Sequence, residues 1–244
     1  MPKIAVLFVG TMPPGAVAAP RLFAKVDNRE VFMRTIEMYA NRDAVTQRIL
    51  CVTPDDLATV QEKYSAHLGF QGVSVTAGGP DWFGLVARGL EKLKPEVDVV
   101  ITHDACRPAV PYTVLDALEQ SVGATGAAAP VAGAGAAALA TLTAEKNVDA
   151  WRSAEGLVEV QSPQIFGRKI LTEAYAARAN VKALLLDDAS LVRACGGRIA
   201  TVPGSRLNQR LDGDDMLRMA GDLLKHLPRI KSKAPASPFD EAQW

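Results

Sequence analysis

The sequence predicts an α/β fold, a three-layer sandwich in which a mostly parallel, Rossmann-like sheet lies between two layers of helices. Three observations lead there. Short apolar runs rich in β-branched residues recur along the chain and alternate with stretches of helical periodicity. Alternation of this kind favours right-handed crossovers, which build a parallel sheet covered on both faces. Of the 244 residues, 48% are hydrophobic, enough to bury a sizeable core.

Ile4–Val9 is apolar throughout and reads as a buried strand, followed by a Gly/Pro/Ala-rich loop from Gly10 to Pro20. Val31, Phe32, Ile36 and Tyr39 recur at helical spacing and predict a helix over roughly residues 28–39. Residues 48–53 form the next strand. Pro54 and Asp55 then open a helix, since proline lacks an amide that a first turn would leave unpaired anyway. Residues 73–76 make a strand ended by Gly78-Gly79, and a helix runs on through Leu85, Val86, Leu90 and Leu93. A strand over residues 97–102 stops at His103-Asp104, and a helix over about 112–122 precedes the small apolar run 126–131.

Between about residues 133 and 160 the alternation breaks. Leu157-Val158-Glu159-Val160 reads as an exposed strand, so the segment is either an arm leaving the main body or a loop with an edge strand. Helices follow near Arg168–Ala177 and from Asp187, then a strand over residues 198–202 and a helix over 214–226, ending at Pro228. Residues 1–228 thus read as one domain with a β-arm at about 133–160. Residues 229–244, mixing Lys, Pro and Ser, are expected to be loosely ordered.

The charge is balanced at 27 basic against 27 acidic residues, which argues against general electrostatic binding to nucleic acid or a membrane surface. Cys51, Cys106 and Cys195 are odd in number and far apart, fitting neither a disulfide framework nor a zinc knuckle. Reduced cysteine predicts a cytoplasmic protein. The first apolar segment is too short for a signal h-region, and no later run reaches membrane-spanning length.

Ligands of an open parallel sheet bind beyond the carboxyl ends of its strands. Three polar segments fall there: 10–21, 103–108 and 208–212. In the second, Asp104 at the end of a buried strand is a candidate Mg²⁺ ligand, because that hard ion prefers one or two carboxylates plus phosphate oxygens. Arg107 either braces the loop or binds an anion. The alternative for the pair is a capped turn with a surface ion pair.

The string His103-Asp104-Ala105-Cys106-Arg107-Pro108 resembles the H-D-A-A-R-P segment of the 2-C-methyl-D-erythritol 4-phosphate cytidylyltransferase family. Four further fragments follow that family's order. Gly78-Gly79 with Gly89-Leu90 resembles G-G-x-x-R-x-x-S-V-x-x-G-L. Ser162-Pro163-Gln164-Ile165-Phe166 resembles T-P-Q-x-F. Asp187-Asp188-Ala189-Ser190 resembles T-D-[DE]-A-S, and Asn208-Gln209-Arg210 resembles N-[IL]-K. The resemblance spans roughly residues 3–224. It implies a nucleotide-diphospho-sugar transferase type of fold and transfer of CMP from CTP to a polyol phosphate. Pyrophosphate is released, Mg²⁺ is the cofactor, and the arm joins a homodimer. Arg21 and Arg210 stand at the positions of the two catalytic lysines. Gly10, Gly79, Asp104 and Arg107 would meet the nucleotide and its metal, and Asp187 and Asn208 the acceptor. Asp212 is a further candidate metal ligand beside Asp104.

Several positions depart from the family pattern. Met12 stands for the second glycine of the first loop and Pro13 or Pro14 for its arginine, so that loop offers less charge and fewer amides to a phosphate. Trp82 replaces an arginine, Leu85 a serine and Leu186 a threonine. These losses leave open a nucleotidyltransferase with another base or acceptor, or a catalytically silent relative that binds a nucleotide or a protein. Asp187 or Asp188, and Asp212, read equally as helix caps.

Overall fold

The computed structural model describes residues 2–14, 22–135 and 138–227. Its frame is a mixed sheet whose parallel centre runs β6 (Val99–Asp104), β1 (Ile4–Val9), β4 (Val45–Val52), β5 (Val73–Ala77). Alternation along β1 divides its six buried residues between two cores. Ile4, Val6 and Phe8 enter one, and Ala5, Leu7 and Val9 the other. Helices α1 (Val31–Glu37), α2 (Pro54–Phe70), α4 (Tyr112–Thr125) and α7 (Asp214–Lys225) supply the first core. Helices α3 (Trp82–Glu91), α5 (Arg168–Ala177) and α6 (Asp188–Ala194) supply the second. The three-layer α/β sandwich therefore holds.

Helix ends follow local chemistry. The Thr53 hydroxyl accepts from the Asp56 amide ahead of Pro54, and the Asp81 carboxylate accepts from the Gly84 amide. α4 closes on Gly126 at φ 73°, a left-handed turn that glycine adopts without strain. Asp187 caps α6 in a reciprocal box with Ser190, so the capping alternative for Asp187 is present. The cap of α7 is Gly213 rather than Asp212, whose carboxylate turns to Arg210 instead.

Three features differ from the expectation. The helix expected over 28–39 starts only at Val31, because β2 (Lys25–Val26) and β3 (Arg29–Glu30) form a hairpin before it. Asp27 and Asn28 make its turn at φ 48° and 62°. β11 (Gln164–Gly167) inserts antiparallel between β6 and β7 (Ala127–Gly133), making this end of the sheet mixed. β12 (Ala200–Pro203) keeps to the expectation and pairs parallel with β7. Both arrangements expected for residues 133–160 occur together. β8 (Ala138–Leu142) and β9 (Val148–Ser153) form a separate two-stranded hairpin, while β10 (Val158–Val160) is an edge strand on β7. Among the described residues no helix is long and apolar enough to cross a membrane.

The Gly78-Gly79 turn shows which glycine the packing demands. A Cβ on Gly78 would lie 2.7 Å from the Gly84 carbonyl oxygen and 2.8 Å from the Leu85 Cα, whereas one on Gly79 meets nothing closer than 3.4 Å. Gly78→Ala is expected to cost about 1–3 kcal/mol through forced backbone movement, and Gly79→Ala much less, measured by urea unfolding.

Candidate functional site

The carboxyl ends of β1 and β6 open on a cleft of about 410 Å³. Asp104 and Arg107 rise from the β6 end, Pro13 and Pro14 from the loop after β1, and Trp82 from the start of α3. Ser162, Gln164 and Asp187 close it from the β11 and α6 side. The arrangement follows from topology: adjacent parallel strands deliver their C-terminal loops to one edge of the sheet.

Asp104 has little solvent exposure and is held through its amide and both carboxylate oxygens. Its Oδ1 accepts from the Cys106 amide at 2.9 Å, and its own amide donates to the Ser162 hydroxyl at 2.8 Å. Oδ2 accepts from Arg210 Nε at 2.7 Å, within an ion pair whose side chains are 7% and 2% exposed. Arg210 Nη1 reaches Asp212 Oδ2 at 3.2 Å. Burial, the largest single influence, works against the Arg210 charge, but Asp104, Cys106 and Asp212 together outweigh it and raise the guanidinium pKa.

Arg107 is anchored differently. Nη1 donates to the Asn208 carbonyl at 2.7 Å, Nε lies 3.9 Å from Asp104 Oδ2, and Nη2 lies 3.5 Å from the exposed Glu159 carboxylate. Asn208 is buried, and its Nδ2 donates to the Ser162 carbonyl at 2.7 Å and to Gln161 Oε1 at 3.3 Å. Asp187 is fixed through Oδ1, accepting from the Ser190 amide at 2.7 Å, and Oδ2, accepting from Gln164 Nε2 at 2.7 Å.

The structure thus gathers Asp104, Arg107, Asp187, Asn208, Arg210 and Asp212 at one sheet edge. Gly10 and Gly79 are not in the cleft wall. Gly10 packs against the end of β4, where a Cβ would lie 3.2 Å from the Cys51 carbonyl oxygen. Arg21, with residues 15–20 of its loop, lies outside the described residues, as do residues 228–244.

The residues that sequence reasoning did not assign are the braces. Ser162 and Gln164 were visible as part of a motif, without a role. Gln161 is buried, accepts from the Ser205 amide and donates to the Ser205 carbonyl, and no local pattern marks it. Beneath the cleft, buried Asp188 accepts from Trp82 Nε1 at 3.1 Å and from the Tyr175 hydroxyl at 2.5 Å. Leu85 is fully buried and offers no hydrogen bond. His103, one residue before Asp104, is held by the Tyr39 hydroxyl at 3.0 Å. Burial drives its pKa down to about 3, so it is neutral and serves as an anchor.

A sequence model of the family described as IspD, 2-C-methyl-D-erythritol 4-phosphate cytidylyltransferase, matches residues 14–226. The chain belongs to the IspD family. It is 29% identical over 214 residues to the 2-C-methyl-D-erythritol 4-phosphate cytidylyltransferase of Acidobacterium capsulatum, covering 84% of this chain and 87% of that one. Identity to the Frankia casuarinae protein of the same description is 32% over 188 residues, with coverages of 77% and 67%. The crystal structure of the Thermus thermophilus enzyme superposes with a TM-score of 0.75 at 23% identity, covering 91% of this chain and 99% of that one. At that identity the superposition establishes the IspD fold. Within it, Trp82, Leu85 and the Pro13-Pro14 pair are among the positions where this chain departs from the family signature described above.

Proposed function

We propose that the chain is a cytidylyltransferase that moves CMP from CTP to 2-C-methyl-D-erythritol 4-phosphate, an isoprenoid-precursor reaction. The observation that carries this reading is the family match over residues 14–226, with its most distinctive string placing Asp104 and Arg107 at the cleft. A phosphate oxygen of the acceptor bonds to the α-phosphorus, the bond to the bridging oxygen breaks, and pyrophosphate leaves with the electron pair. No protein group has to accept a proton. The protein aligns the two phosphates and balances the charge that moves onto the leaving group.

Asp104 lines the cleft and each of its oxygens keeps lone-pair capacity beyond the donors named above, so it suits Mg²⁺ binding through one carboxylate and phosphate oxygens. Bound there, Mg²⁺ would neutralise phosphate charge. Among the described residues no three His, Cys, Asp or Glu side chains cluster to hold a metal by themselves. Three free cysteines, two of them buried, support a cytoplasmic location.

Pyrophosphate release from CTP, 2-C-methyl-D-erythritol 4-phosphate and Mg²⁺ tests the reading. Asp104→Asn is expected to lower the rate at least about 100-fold, the scale of losing one charge-stabilising group. The competing reading, a silent relative, draws on Pro13 and Pro14 in the cleft wall and on two arginines already engaged by carboxylates. Thermal shift separates the readings, since a ligand that binds only the native state stabilises it. Stabilisation by CTP without turnover would favour a binding protein, and stabilisation by another triphosphate a different base.

The arm supports a homodimer. Leu142, Val148 and Trp151 on β8 and β9 are exposed, Trp151 at 70%, and Leu157, Val158 and Val160, later in the same 133–160 segment, are exposed as well. Trp151→Ser is expected to shift the protein from dimer to monomer in sedimentation velocity. A wild-type monomer at the same concentration would refute this assembly.

A further inference from the structure

We propose that Arg210 is the resident cation of this site, a guanidinium that bridges Asp104 and Asp212 and thereby closes the space between them to a divalent ion. Arg210 Nε lies 2.7 Å from Asp104 Oδ2 and its Nη1 lies 3.2 Å from Asp212 Oδ2. A Mg²⁺ shared by those carboxylates would need an oxygen of each at about 2.1 Å, inside the volume the planar group fills. The guanidinium cannot yield by losing its charge, because it does not deprotonate in proteins. Nor is it loosely placed, at 7% exposure against a carboxylate at 2%.

Residue type matters here. The family signature carries lysine at this position, whose compact ammonium must gather its acceptors around one nitrogen, whereas a guanidinium presents separated donors in a rigid planar fork. Arginine spans both. Arg210 is therefore a positioning residue that fixes Asp104, and Arg107, whose Nη2 faces the exposed Glu159, is the cation more easily given up to an anion. A divalent ion brought in on the phosphates of a ligand would then have Asp104 as its one protein carboxylate.

The bridge is independent of which nucleotide or acceptor the enzyme uses, and neither is needed to test it. The full chain is titrated with Mn²⁺ alone, and free metal is followed by electron paramagnetic resonance. Wild type and Asp212→Asn are expected to bind weakly and equally, at about millimolar or above, the range of the weakest oxygen-ligand sites. Arg210→Gln, which removes the bridge and keeps a polar side chain, is expected to gain at least about tenfold in affinity. The gain should vanish in Arg210→Gln/Asp212→Asn.

Wild-type binding that Asp212→Asn abolishes would overturn the proposal, as would a folded Arg210→Gln that binds no better than wild type. If circular dichroism shows that Arg210→Gln does not fold, wild type and Asp212→Asn decide alone. Equal weak binding sustains the bridge, and a tenfold loss in Asp212→Asn overturns it.

Discussion

Replacing Arg210 with methionine is expected to destabilise the protein by about 3–5 kcal/mol, the usual cost of leaving one member of a buried ion pair without its partner. The reason lies in what remains. Asp104 is 1% exposed, and with Arg210 gone its charge keeps a Cys106 amide at 2.9 Å and an Arg107 Nε no closer than 3.9 Å. Protonating or hydrating that carboxylate costs free energy, and neither repairs the packing around it. Asp212→Asn is the internal comparison. It removes a partner of the same guanidinium, but Asp212 is 29% exposed, so the loss should stay below about 1 kcal/mol.

The two residues can also be removed together. Asp104→Asn keeps an oxygen for the Cys106 amide and drops the charge, so Asp104→Asn/Arg210→Met should be more stable than the sum of the single changes predicts. Urea unfolding of the four proteins gives the coupling, expected at about 2 kcal/mol or more for groups in direct contact. Additive effects would mean that the pair contributes no more than its separate packing, and Arg210 would lose its role as the fixed counter-charge.

The Asp104–Arg210 pair also shows where sequence reading stops. Strand β1 is legible because six consecutive apolar residues can only be satisfied between two covered faces. Helix α5 is legible from its spacing, with the same bounds in sequence and structure. The β2–β3 hairpin is not, since two-residue strands have no period and the turn signal is only Asp27-Asn28. Strand β11 is four residues long, and nothing within it states that it pairs antiparallel between β6 and β7. The 103–108 string marks Asp104 and Arg107 locally. The partner that fixes Asp104 lies 106 residues away, as does the Asp188 that holds Trp82. Such contacts are made by the fold, and the family resemblance left Arg210 at the position of a catalytic lysine and Trp82 as a lost arginine.

Asp188 itself should give the chain a measurable pH signature. It is fully buried, and burial raises its pKa from 3.8 to about 6, against hydrogen bonds from Tyr175 and Trp82 and with a further push from Asp187. Because the folded pKa lies above the unfolded one, the native state keeps a proton between about pH 4 and 6 that the unfolded chain has released. Stability from this group is therefore full below pH 4, falls by about 3 kcal/mol as pH rises to 6, and is level above it. His103, with a pKa lowered from 6.5 to about 3, contributes the opposite slope across that whole range. The clean observable is thus the difference between wild type and Asp188→Asn, in which His103 appears twice and cancels. Asparagine fits the site without titrating. Its oxygen accepts from Trp82 Nε1, and the Tyr175 hydroxyl can turn from donor to acceptor for the amide nitrogen. The variant should gain on wild type by about 3 kcal/mol between pH 4 and 7 in urea unfolding, with most of the change below pH 6. Parallel curves for the two proteins would mean that Asp188 ionises freely in the native state. The Trp82 and Tyr175 hydrogen bonds would then be strong enough to offset its burial, and the wall of the cleft would rest on a charged carboxylate at every pH where the protein is folded.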